Sequence, residues 1–155
     1  MQIINYFFAS IISFFGILIG IILINIAPEE QKPLSKYFNR IRKILLLLIF
    51  VFLLFYFYNS VFYLLILFVY LIFAIIIEYR INDLFRKSMI FYILLGILFY
   101  LSKNNLNLFT IESALILLHG MPTASLIYSQ RQKNNFKLLF YNIGFLLIAN
   151  FLFFI

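Results

Sequence analysis

Three side chains of one apolar segment could do chemistry together. In the stretch Thr110-Ile111-Glu112 through Leu118-His119-Gly120-Met121-Pro122-Thr123, a helix turning about 100° per residue puts His119 about 20° to one side of Glu112 and Thr123 about 20° to the other. That is one polar stripe on an otherwise hydrophobic rod. Ser113, Gly120 and Ala124 fall on the adjacent stripe, so a face suited to close packing runs beside the polar one. Pro122 has no N–H, which frees the carbonyl of Leu118 one turn earlier, and Gly120 adds flexibility there. A freed carbonyl beside an imidazole suits cation binding or proton relay. By depth in their own segments, Asn150 and Tyr100 are the expected partners of Glu112, and Ser13 and Tyr70 those of His119.

A structural reading of the same residues competes with this one. If Thr110 caps the helix, Glu112 is a first-turn acid stabilised by the helix dipole at the interface. His119 is then a neutral imidazole bonded to a neighbouring helix, and Pro122 a packing kink. An enzymatic use, with His119 as base on a lipid, ranks below both. The only second group on the same helix, Glu112, stands about 10 Å away along the axis at 1.5 Å per residue.

The composition leaves few alternatives to this stripe. Of 155 residues, 66% are hydrophobic, 21% aromatic and 11% charged, and the mean hydropathy is +1.10. A water-soluble domain carries roughly 25% charge, so this chain belongs in lipid. With no cysteine, one histidine and five acids, thiolate chemistry, iron–sulfur clusters and most metal cages are excluded. No metal and no cofactor is expected. Nor does the chain contain a nucleophile elbow, a P-loop, a His-Glu-x-x-His motif or a dinucleotide fingerprint.

The elements that position the stripe follow from the uncharged runs. The first, about Ile3 to Ala27, is long enough for a span of about 20 residues. It reads as a span rather than a signal peptide, because no Lys or Arg occurs before Lys32. The run from Ile44 to Ile77 would be about 51 Å long as one helix, more than a bilayer core of about 30 Å. Asn59-Ser60, flanked by Tyr56, Tyr58 and Tyr63, marks a turn within it. An all-α polytopic bundle of six short-looped spans results, at about 3–27, 38–58, 61–79, 84–101, 110–128 and 136–155, in a single integral membrane domain.

The basic residues orient it. Six spans put Lys32, Lys36, Arg40, Arg42 and Lys43 on the same side as Arg80, Arg86, Lys87, Arg131, Lys133 and Lys137, with Lys103 alone opposite. Five spans would divide the twelve evenly. The positive-inside rule therefore selects six, with both termini on the outer side and the basic loops cytoplasmic, or on the matrix or stromal side in an organelle. The net charge of +7 is then an orientation signal that meets anionic lipid head groups, not a nucleic-acid footprint. Asn82-Asp83 is placed to cap the fourth span.

Gly16 and Gly20 form a Gly-x-x-x-Gly face in the first span, suited to a close helix neighbour, in this chain or in a second copy. Taken together, scarce polar chemistry favours a non-enzymatic accessory or assembly subunit of a membrane complex, or a small homo-oligomer. The partners of such a protein are other membrane subunits or a second copy of itself. The alternative is a small transporter, channel or proton-relay component using Glu112, His119 and Thr123; a lipid-modifying enzyme is third.

Overall fold

The computed structural model describes residues 2–130 and 135–154. Arg131 and Lys133 of the expected basic loop lie outside the described residues, as do the side chains of Glu30 and Lys32. The chain is all-helical, with no strand among the described residues and five to six helices long and apolar enough to span a membrane. The α-helices are α1 (Ile3–Ile26), α2 (Gln31–Phe57), α3 (Val61–Arg80), α4 (Leu84–Leu101), α5 (Leu106–Gln130), α6 (Asn135–Asn142) and α7 (Gly144–Phe154), the last two together making one span-length run.

Most boundaries follow local chemistry. After α1 the chain makes one 3-10 turn at Pro28–Glu30 and enters α2, whose first turn accommodates Pro33 because an N–H there has no helical acceptor. Ser60 N–H donates to the carbonyl of Phe57 at 3.0 Å, closing the expected turn between α2 and α3. Across it the Phe57 and Tyr63 rings stack at 4.4 Å. Asp83 caps α4, its carboxylate accepting the N–H of Phe85 at 3.0 Å.

Two boundaries differ from expectation. The helix bearing the polar stripe begins at Leu106, where the Asn105 side-chain oxygen accepts the N–H of Leu108 at 3.1 Å. Thr110 is inside the helix, and its hydroxyl donates to the carbonyl of Leu106. Glu112 is therefore not a first-turn acid. The last apolar run is also not one uniform helix: the ladder breaks at Ile143, between α6 and α7. There the Asn142 side-chain amide donates to the Leu138 carbonyl at 2.8 Å.

α2 is the sixth long helix. Its uncharged part, from Ile44 to Phe57, covers only about 21 Å. The aliphatic stems of the exposed Arg40 and Lys43 can extend the apolar length toward one end, as snorkelling side chains do.

α5 is at the centre, packed most extensively on α1 and then on α2, while α4 packs on α7. Of α1, α3, α4, α5 and the α6–α7 run, α5 is the least apolar and the most enclosed, while α3 is among the most apolar with only Leu67 and Ile77 buried. α1, as apolar as α3, is buried to the same extent as α4. The contrast between α5 and α3 suits a lipid solvent, where apolar surface has nothing to gain from the interior and polar groups do.

The α1–α5 contact is backbone on backbone. A Cβ on Gly120 would lie 2.5 Å from the carbonyl carbon of Gly16 and 2.6 Å from the nitrogen of Ile17, and one on Gly16 would collide with the Leu117 carbonyl oxygen. Gly20 sits likewise against Met121 and Ala124. The Gly-x-x-x-Gly face is thus occupied within the chain.

Gly16→Ala and Gly120→Ala should each lower the thermal unfolding midpoint in detergent, at an overpacking cost of about 1–3 kcal/mol. Ala114→Leu, on the exposed side of α5, serves as the control that leaves it unchanged. A Gly16→Ala protein as stable as wild type would contradict this crossing.

Candidate functional site

The crossing turns the polar stripe of α5 inward. Glu112, His119 and Thr123 are all buried, the first two completely. The Thr123 hydroxyl donates to the backbone carbonyl of His119 at 2.7 Å and lies 3.5 Å from the imidazole Nε2. His119 Nδ1 has no hydrogen-bond partner, and neither does either carboxylate oxygen of Glu112. The Tyr92 ring of α4 stands 5.9 Å from the imidazole, centroid to centroid, and its buried hydroxyl is also unpartnered.

The expected partners are distributed differently. Tyr70, half-buried on α3, lies within electrostatic reach of Glu112, the group it was not assigned to. Asn150 turns away from Glu112: its amide donates to Ser10 Oγ at 3.1 Å and to the Leu146 carbonyl at 2.8 Å, tying α7 to α1. Tyr100 lies under the ammonium of Lys103, which is 3.9 Å above its ring. Ser13 donates to Ala9 of its own helix, the usual recourse of a hydroxyl in an apolar span. Depth along a span gives the level of a side chain but not the direction it faces.

Pro122 is buried and α5 continues through it. With Leu118, Met121 and Ser125 it lines an apolar crevice of about 430 Å³ between α5, the end of α1 and the first half of α2.

A second polar group was not foreseen from the sequence. Arg42 of α2 is 2% exposed and its terminal nitrogen donates to both oxygens of Glu78 in α3, at 3.0 and 2.9 Å. Lys43 reaches the same carboxylate at 3.1 Å and Lys87 of α4 at 3.5 Å. Lys87 also donates to the backbone oxygen of Glu78 at 2.9 Å. One carboxylate thus holds three helices through three cations. The sequence alone places Arg42 among the basic residues of one side. The available signal was that Glu78 is the one acid closing an apolar span beside so many cations.

Arg42 lies within electrostatic reach of His119 and 5.9 Å from the centre of the Phe91 ring. The ionisable groups accordingly form a broken row through the bundle, from Glu112 past His119 to Arg42 and Glu78. Among the described residues no three His, Cys, Asp or Glu side chains come together. What the arrangement can do is bind and pass a proton, or hold a small cation at Glu112; the Thr123 hydroxyl beside the imidazole is committed to the His119 carbonyl. Comparison with protein-family models, curated proteins and solved structures finds no match in any of the three.

Proposed function

We propose that the chain is a multi-pass membrane protein that carries protons, as a proton-relay or proton-coupled transport component, with Glu112 as its proton-binding group. One observation carries this reading: a completely buried carboxyl group in the central helix whose two oxygens have no donor. A bare carboxylate without water or hydrogen-bond partners costs far more in an apolar interior than the neutral acid does. Ionisable groups kept inside a membrane despite that cost mark proton and ion pathways. His119, about 10 Å further along the axis, is the next acceptor. The Tyr92 ring beside it brings in a third buried group with no partner.

The orientation is part of the proposal: six spans, with both termini outside and the basic loops cytoplasmic or facing a matrix or stroma. Contacts within the bundle support it. Tyr6, near the start of α1, donates to the carbonyl of Ala149 in α7 at 3.0 Å, and Lys103 lies 5.4 Å from the ring centre of Phe153. The single outlying cation therefore shares an end with the end of α7. Arg42, Lys43 and Lys87 converge on Glu78, two residues before the end of α3.

A second reading, an accessory or assembly subunit of a membrane complex, is favoured by α3, which buries so little against its own chain. A stoichiometric larger assembly purified in mild detergent would support it.

Two measurements test the proposal. In vesicles containing the purified protein and a trapped pH indicator, an imposed potential should drive proton uptake that Glu112→Gln abolishes and His119→Ala slows at least about tenfold, the span of a lost proton-transfer group. Uptake equal in wild type and Glu112→Gln, or none in wild type, sinks the reading. Because the chain has no cysteine, single substitutions report sidedness cleanly. An impermeant maleimide applied outside cells should label Asn105→Cys and spare Asn82→Cys; the reverse pattern overturns the orientation.

A further inference from the structure

A second crevice, of about 380 Å³, opens between α2, α3 and α4. Its walls are apolar, with Leu46 and Phe50 on one side, Leu71 and Ala74 on the other and Phe91 at the back. Lys43 and Glu78 stand at one end of it. There the charges do not balance: Arg42, Lys43 and Lys87 meet the single carboxylate of Glu78, leaving a formal excess of two positive charges.

Two of the three cations are buried and the third faces the crevice. Arg42 and Lys87 are buried, and the Arg42 Nε has no hydrogen-bond acceptor. Lys43 is about half exposed, so its ammonium reaches the crevice mouth. Three cations against one carboxylate, with Lys43 open to the crevice, suit an anion, and a phosphate diester supplies several acceptor oxygens and one negative charge. An apolar trench running from the same point is shaped for a hydrocarbon chain.

We infer that this crevice is a binding site for one anionic glycerophospholipid, its phosphate on Lys43 at the mouth, beside the buried Arg42 and Lys87, and an acyl chain between α2, α3 and α4. The site stands independently of the proton reading, since it shares neither Glu112 nor His119. The other crevice, beside Pro122, has apolar walls and no charged residue in its lining. The difference between the two is the cation cluster. A bound lipid would also fasten α3, which makes few other contacts, to the rest of the bundle.

Native mass spectrometry of the full chain in mild detergent, titrated with phosphatidylglycerol or phosphatidylcholine of matched acyl chains, tests this. One phosphatidylglycerol per chain should be retained, at least about tenfold tighter than phosphatidylcholine, as expected for two net charges acting on one phosphate. Lys43→Gln removes one exposed cation and should reduce that preference about fivefold. Ala74→Phe fills the trench without altering any charge and should weaken phosphatidylglycerol binding to the level of phosphatidylcholine. Unfolding of each variant in lipid-free detergent, matched to wild type, shows that the fold is kept. Equal retention of the two lipids by wild type, or both variants retaining phosphatidylglycerol as wild type does, overturns the site. So does displacement of the lipid by millimolar inorganic phosphate, which would make it a free-phosphate site.

Discussion

The structure depends on the contact between the backbones of α1 and α5. In lipid no hydrophobic force drives helices together, so packing distance decides which faces meet. Glycines at 16, 20 and 120 permit an approach that any side chain would block. Once that face of α5 is fixed, its rotation is fixed too. The stripe next to the glycines, with Glu112 and His119, has to point into the bundle. The polar residues are thus inside because their neighbours on the helix are small.

The same constraint sets the contrast between α5 and α3. α5 carries Glu112, His119 and Thr123 and is the most enclosed of the apolar spans, whereas α3, nearly all hydrocarbon, stays at the periphery. α3 is held mainly where it becomes polar. Glu78 near its end ties it to Arg42 and Lys43 of α2 and to Lys87 of α4. Ion pairs sheltered from water are screened weakly, and losing one partner leaves the others uncompensated. The bundle is thus set by glycine packing at its centre and by a charge cluster at one end.

Much of this was legible in the chain itself. Uncharged runs gave the spans, Asn59-Ser60 gave the turn that divides the longest of them, and Asp83 gave a cap. The glycine face was visible in α1 and its complement in α5. Three features were hidden for physical reasons. Asn105 and Thr110 are both capable caps, and only packing selects the first. The break at Ile143 interrupts a run whose residue types suit one helix throughout. Arg42 and Glu78 pair across 36 residues of sequence, and helix rotation decides such a pairing. The partners assigned to the stripe went astray for the same reason: Asn150, Tyr100 and Ser13 were at suitable levels but face elsewhere.

The central claim is that Glu112 holds a proton in the bundle interior, and infrared spectroscopy of the protein in lipid at neutral pH tests it most directly. The account predicts the carbonyl stretch of a protonated carboxylic acid, present in wild type and lost in Glu112→Gln. A wild-type spectrum without that band, or a band that persists in Glu112→Gln, would contradict it.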